Sequence, residues 1–563
     1  MQEQQQVTIP NKTKRSFNSW VNNPMIEDYA LRYAPKSFRK WSEFAVASSA
    51  IGGIAFLADF AIGGSITIAY GFTNAFWGIL IAGLIIFLTG IPIAHYSSKY
   101  NVDMDLLTRG AGFGYLGSTL TSLVYATFTL IYFATEGAIM AQALEIYFHI
   151  PLGIGYLIGA LVIIPIVTFG MTALAKFQIW TQPLWIVLMV VPVIAILVKD
   201  PQSLATWTQF GGNSSSGPSF NPLFFAMSAG VVLSLITQIG EQADYLRFMP
   251  DRTAKNHKKW IWAVILAGPG WIIIGAFKQL CGSFFVSYIA PSVGFEKAGE
   301  PIQMFIKAFG TFIPGAFLVL TIATFFVLMS QLKIQVTNAY SGSLSWSNFF
   351  SRIIHFHPGR VAWLFLQVAI ALAMMEAGIF NFLNAVLGFY SNVAVAWIGA
   401  IVADLVINKN LLKISPPYIE FKRAHLFNFN PVGFGSMIIA SVISIIAYFG
   451  YLGDFLQAFS PFLSLALAFI LAPIIAIATK GKYYIARENP AQQQLHAAAL
   501  EHTHMHAHSH NHVHENGEST CAVCSYDYEQ EDTTYCPFHG GTICSLCCSL
   551  EKNCHDMCKK QKA

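Results

Sequence analysis

Charge is scarce in this chain. Asp, Glu, Lys and Arg make up 11% of its 563 residues, while 55% are hydrophobic and 14% aromatic. A soluble globular domain carries about 25% charged residues, so the composition excludes that class and fits a polytopic membrane protein. Cysteine is absent from most of the chain: of nine, only Cys281 precedes residue 521. No phosphate-binding glycine loop, nucleophile elbow or paired-carboxylate hydrolase pattern occurs, so nothing points to an enzyme. The residues before Ser42 are polar and lack the apolar core of a signal peptide.

What is present is long apolar runs. A bilayer-spanning helix needs about 20 mainly apolar residues, and twelve candidates fall at 43–70, 75–97, 115–147, 152–172, 177–198, 221–247, 259–289, 311–347, 361–377, 380–407, 431–452 and 459–479. Lys and Arg mark the cytoplasmic side of such a chain. They gather in the N-terminal segment (Lys12, Lys14, Arg15, Arg32, Lys36, Arg39, Lys40) and in alternate connections, including Arg252 to Lys259 and Lys409 to Arg423. Both termini are therefore expected in the cytoplasm, with the body in the cell's inner membrane. This topology accounts for the net charge of +4 without a nucleic-acid partner.

Composition divides the chain into a cytoplasmic arm (1–41), a twelve-helix body (42–480), a His-rich linker (481–519) and a Cys/His module (520–563). In the body, Gly52-Gly53 and Gly63-Gly64 flank "IAFLADFAI" in the first span, and Gly230 and Gly240 flank "VVLSLITQI" in the sixth. Transporters built from inverted repeats break the first helix of each repeat at the binding site, and these spans are five apart. The alternative is that the glycines only permit close helix packing.

Polar residues favour a binding site. Asp59 lies mid-span between the glycine pairs, and Tyr132 and Glu136 share a face of the third span. Ser234, Thr237, Gln238 and Glu241 form one stripe on the sixth; on the eighth, Ser330, Lys333, Thr337 and Ser341 form one stripe and Gln331, Gln335 and Asn338 the next. Buried charges such as Asp59, Glu136 and Lys333 are costly in a bilayer and need a partner or a polar cavity. Glu241 and Asp244 are expected to pair with Arg247, and Lys278 and Glu376 to lie near the interfaces.

"ED" and "RKW" before the first span, "ADYLRF" (Ala243 to Phe248), "TNAYSGSL" (Thr337 to Leu344) and "GAIVAD" (Gly399 to Asp404) occur in the order found in the nucleobase:cation symporter-1 family. Residues 25–480 resemble that family, which includes cytosine permeases and hydantoin, allantoin and uracil transporters. The resemblance implies an all-α membrane protein of twelve transmembrane helices, a LeuT-like five-plus-five inverted repeat with two further helices. It implies a small heterocyclic substrate stacked against Tyr132 or Phe133, with Glu136 in the place of a Gln, Ser234, Leu235, Thr237 and Gln238 on the sixth helix, and Gln335 or Asn338 reading the ring edge. Carboxylates at Asp59 and Glu136 suggest a ligand with a cationic or donor-rich edge. The family's cation site would lie at the first-helix carbonyls around Ala55 to Ala58, with Lys333 on the eighth helix at the position of a cation ligand. An ammonium there would replace a bound sodium ion, pair with Asp59 or the free carbonyls, and make transport proton-coupled or sodium-independent.

The tail carries four ligand pairs: Cys521 and Cys524, Cys536 and His539, Cys544 and Cys547, Cys554 and Cys558. In a reducing cytoplasm such pairs ligate metal, and eight ligands suit two tetrahedral zinc ions. Interleaved pairing, first with third and second with fourth, would give a cross-braced module resembling RING or B-box domains, with Cys548 and His555 as alternative ligands. The run His502 to His514 is expected to be disordered, either a metal buffer or a solvated linker. The expected function is import of a nucleobase or related nitrogen heterocycle by symport. The rivals are a metal transporter and a transporter-like sensor that signals through its tail to a cytoplasmic protein.

Overall fold

The computed structural model describes residues 28–168, 170–489 and 518–559. Helices occupy all twelve segments. The first is in two pieces, α1 (Glu43–Gly53) and α2 (Ala58–Tyr70), bent by 46° about residues 54–57. Ser42 starts α1 by accepting the Ala45 N–H at 3.2 Å. Next come α3 (Phe72–Tyr100), α4 (Ser118–Phe148), α5 (Leu152–Leu161), α6 (Ile163–Thr168) and α7 (Gly170–Lys199). The sixth segment opens with α8 (Pro222–Leu233), capped by Asn221 with Pro222 in the first turn. It passes through a 3₁₀ stretch, Ser234–Gln238, into α9 (Ile239–Leu246). Then follow α10 (His257–Ala267), α11 (Trp271–Ala298), α12 (Pro301–Gly310), α13 (Ala316–Ile354) and α14 (Arg360–Glu376). The bundle ends with α15 (Leu383–Ala403), α16 (Gly433–Tyr448) and α17 (Ser460–Ala478). Among the described residues eight helices are long and apolar enough to cross a membrane, nine with the bent pair taken as one span.

The glycines divide between the two readings. Gly53 sits at the break, but Gly63 lies inside α2, where an added Cβ would be 1.9 Å from the Gln279 carbonyl oxygen of α11. One on Gly282 would lie 2.1 Å from the Phe60 carbonyl oxygen, so α2 and α11 are in backbone contact. Gly240 is likewise closed off by the Tyr125 ring at 2.7 Å. The sixth segment therefore does not break as expected; it tightens to 3₁₀, which keeps its backbone hydrogen bonds made.

At 39 residues, α13 is about 58 Å long at 1.5 Å per residue, roughly twice the hydrocarbon thickness of a bilayer. Its C-terminal part helps to form a platform at the end of the bundle that carries both the N-terminal arm and the tail. In the tail, β1 (Glu518–Thr520) pairs antiparallel with β2 (Asp527–Glu529), and β3 (Thr533–Cys536) with β4 (Gly541–Cys544), followed by α18 (Ser545–Leu550). It is not free-standing. Arg32 Nε meets Asp532 at 2.5 Å, Lys422 Nζ donates to the Glu531 and Thr533 carbonyls at 3.2 and 3.1 Å, and Arg423 Nε meets Asp556 at 2.9 Å. Tyr115 Oη donates to the Ser549 carbonyl at 3.4 Å. The start of the expected linker is also anchored: Leu426 and Ile485 form an antiparallel bridge, and Asn489 donates to Glu420 at 2.8 Å. His502 to His514 lies outside the described residues.

Gly282→Leu is expected to cost about 3 kcal/mol or more, because the Phe60 carbonyl it meets is backbone and cannot rotate away. Size-exclusion chromatography in detergent should show loss of the monodisperse peak, with Cys281→Ala as a control that retains it.

Candidate functional site

The break between α1 and α2 leaves backbone groups without intrahelical partners where water is scarce. Other helices supply the partners. Lys278 of α11 donates from Nζ to the Ile54 carbonyl at 2.6 Å and the Phe56 carbonyl at 2.9 Å. The same Nζ forms an ion pair with Asp59 Oδ2 at 2.9 Å, both side chains fully buried, and stands 3.7 Å from the centre of the Phe56 ring. Gln279 donates to Asp59 Oδ1 at 2.7 Å. From α4, Glu136 Oε1 accepts the Ala58 N–H at 3.1 Å, so a residue remote in sequence caps α2 at its electropositive end. Glu136 Oε2 accepts from Gln331 Nε2 of α13 at 2.5 Å.

Several expectations are corrected here. Lys333 does not reach Asp59 or the first-helix carbonyls; its Nζ donates to the Gln178 carbonyl at 2.9 Å and Thr181 Oγ1 at 2.8 Å, both on α7. Two others of its stripe also bond elsewhere: Ser330 accepts from Trp185 Nε1 at 3.0 Å, and Thr337 bonds Tyr245 at 2.9 Å. Of the first-helix carbonyls, those of Ile54 and of Phe56, the latter inside the expected 55–58 stretch, accept from the ammonium of Lys278. Each oxygen of Asp59 and of Glu136 already has a partner within the protein. Arg247 pairs with Asp103 at 3.2 Å and donates to Tyr340 at 2.7 Å, while Asp244 accepts from Tyr125 at 2.8 Å and Glu241 from Gln238 at 2.7 Å.

The neighbouring stripe of α13 does converge with α4. Gln335 Nε2 donates to the Phe133 carbonyl at 3.0 Å, and Tyr132 Oη lies 3.4 Å from Ser234 Oγ in the 3₁₀ stretch. Thr237 meets Tyr390 of α15 at 3.3 Å, and Leu235 is fully buried. Asn338 stands apart: both polar atoms of its amide are buried without a hydrogen-bond partner, and the oxygens of Gln331 and Gln335 on the same stripe are also unpaired. Buried polar groups normally have partners, so this stripe presents binding capacity for something the protein itself does not supply.

Lys278, Gln279 and Gln331 were not among the expected site residues. The signal was there, since "AFKQLCG" puts a lysine inside an apolar run. The helical segment from His257 to Ala298 is 42 residues long, too long for the depth of one charge to be read from its ends.

In the tail, the Sγ atoms of Cys521, Cys524, Cys544 and Cys547 all lie within 4.8 Å of one another, and all four residues are buried. The Cys544 N–H donates to Cys521 Sγ and the Cys547 N–H to Cys544 Sγ, each at 3.3 Å, which favours thiolates. Four sulfurs so placed fit a closed structural zinc site. The first ligand pair thus meets the third, as interleaved pairing requires. His539 is instead turned to Glu551 at 3.1 Å.

A bundle with a broken first helix, ion-like charge on its freed carbonyls and unpaired amides alongside is that of a LeuT-like secondary transporter. A sequence model of the family described as permease for cytosine/purines, uracil, thiamine, allantoin matches residues 33–458, and the chain belongs to that family. None of the curated proteins compared matches it. Among solved structures, the nucleobase-cation-symport-1 family transporter Mhp1, closed with bromovinylhydantoin bound, matches at a TM-score of 0.59 and 16% identity, over 82% of this chain and 99% of that one. Its inward-facing conformation matches at 0.57 and 15%, over 88% and 99%. A Na+-coupled sialic acid symporter, outward-open with substrate, matches at 0.53 and 17%, over 80% and 93%. At these identities the likeness is one of fold.

Lys278→Met should cost about 3–5 kcal/mol by leaving Asp59 buried and unpaired. Thermal unfolding in detergent is expected to show most of that loss recovered in Lys278→Met/Asp59→Asn; losses that simply add would mean the two side chains are not coupled.

Proposed function

We propose that the protein is a secondary active transporter that imports a nucleobase or related nitrogen heterocycle across the inner membrane, by alternating access of one helix bundle against the other. The observation that carries this reading is the unpaired Asn338 amide, beside the unpaired Gln331 and Gln335 oxygens. An Asn amide, with one donor and one acceptor side by side, matches the edge of a ring that offers an acceptor next to a donor, as it does when reading a base edge. With Asp59 and Glu136 satisfied internally, the ligand class favoured is a neutral ring with an adjacent carbonyl and N–H, such as a pyrimidinedione or hydantoin. Tyr132 and Phe133 line the α4 side for stacking. Both termini face the cytoplasm in this reading, supported by the basic residues gathered at their end of the bundle.

Coupling follows from Lys278. Its ammonium occupies the carbonyls that the first-helix break sets free, where a bound cation would otherwise sit. Transport is therefore independent of sodium and driven by protons. The zinc reading of the tail is supported by its four buried sulfurs. Among the described residues no comparable ligand group lies in the bundle, which counts against metal as cargo. The sensor reading has one observation in its favour: the tail grips the N-terminal arm and the 420–428 loop, where movement of the bundle would be felt.

Uptake into proteoliposomes, with a labelled panel of purines, pyrimidines, pyrimidinediones, hydantoins and aminopyrimidines under an imposed pH or sodium gradient, tests substrate and coupling together. Uptake of a pyrimidinedione or hydantoin on the pH gradient alone is expected; sodium-driven uptake would sink the role given to Lys278. Asn338→Ala should lower unfolding temperature little, because it breaks no hydrogen bond, yet abolish the thermal shift given by the transported ligand. Removing residues 490–563 should leave uptake intact in a transporter, whereas binding without uptake in the full chain would move the sensor reading to first place.

A further inference from the structure

Four cysteines of the tail remain outside the zinc site: Cys536, Cys548, Cys554 and Cys558. All are free thiols, and all line one apolar cavity of about 10 Å³, with room for a single small ion. Cys536 opens a tight turn in which the Phe538 and His539 backbone N–H groups donate to its sulfur, the device that Cys547 provides for Cys544 in the first site. His539 lines no part of this cavity and is held by Glu551, while His555 is exposed. Cys547 and Cys548 are consecutive on α18, so about 100° of helical rotation sends one sulfur to each side.

We propose that Cys536, Cys548, Cys554 and Cys558 form a second tetrathiolate zinc site, with Cys548 in the place that the sequence pattern gives to His539. Four cysteines around one small apolar cavity supply the ligand number of a structural zinc site, and binding would release their protons. The site also borders the dock: Arg423 donates to the Cys548 carbonyl at 3.1 Å and to the Glu551 carbonyl, and pairs with Asp556. The second ion would thus hold the edge of the tail that the bundle grips, while the first holds β4 and α18 to the 521–524 turn.

The inference rests on the tail being a metal module and is independent of the transport reading. The test is cobalt substitution of the purified full-length protein, followed by chelator competition and titration of the thiolate-to-metal absorption band, which histidine-bound metal does not give. Two tightly held, thiolate-bound equivalents are expected in the unaltered chain. One should remain in Cys548→Ser and in Cys558→Ser, the latter less buried and so less prone to misfold, and two in His539→Ala. A single equivalent in the unaltered chain overturns the proposal, as does a site lost in His539→Ala but kept in both serine variants. Cys521→Ser should leave one equivalent: loss of the whole band would place every thiolate in one centre and overturn the second site, whereas an unchanged band would overturn the first site alone.

Discussion

A helix broken inside a membrane must have its freed backbone groups satisfied by protein, and most of the central architecture follows from that demand. Residues 54–58 expose two carbonyls and one N–H whose desolvation, unpaired, would cost several kcal/mol each. The carbonyls take the ammonium of Lys278, and the N–H takes the carboxylate of Glu136. Each partner then needs its own: Asp59 balances Lys278, Gln279 fills the second oxygen of Asp59, and Gln331 fills the second oxygen of Glu136. Three helices, α4, α11 and α13, are thereby tied to one break. Gly63 and Gly282 make this possible, because only backbone contact between α2 and α11 brings Lys278 and Gln279 within reach.

At the other end of the molecule the organising element is the excess length of α13. It carries Asn348 out to the N-terminal arm, where its amide donates to the Ala30 carbonyl at 2.6 Å, and Arg109 and Arg352 gather around it. Arm, loops and tail then share one platform. Most of the tail's bonds to the bundle run from basic side chains to tail carbonyls and carboxylates, so its placement depends on the tail backbone holding its shape. In the proposed zinc reading, metal thiolates hold this backbone of short strands and one six-residue helix.

Much of the architecture was legible from residues alone. Apolar length located all twelve helical segments, and the glycine pairs pointed to the first helix. The meeting of the first and third cysteine pairs is the one that a cross-brace resembling RING or B-box domains implies. What failed were orientations within helices. Lys333 and Gln331 differ by two positions, about 200° around the axis, and a sequence stripe does not say which stripe faces which neighbour. Nor does a sequence say which remote side chains serve a break, here Lys278 on its carbonyls and Glu136 on its N–H. Lys278 reads as an interfacial residue because α10 and α11 form one long run, and Cys548 reads only as an alternative ligand because His539 completes the pattern without it.

A tethered cation differs from a bound one in a way that bears on mechanism. A sodium ion held by first-helix carbonyls can leave when that bundle rocks, and its departure is how an ion gradient acts on the cycle. Lys278 cannot leave. Its charge stays with α11, so the geometry at the break is maintained without any ion from solution, and only the proton on its Nζ or on Asp59 can be exchanged. In the proposed reading a gradient acts on this centre through protons. If the pair never exchanges its proton, ligand binding at Asn338 is still free to shift the bundle between states, but nothing at the break drives that shift uphill. The same buried pair thus separates a proton-driven importer from a ligand-operated switch, and the separation turns on one proton transfer rather than on any difference in fold.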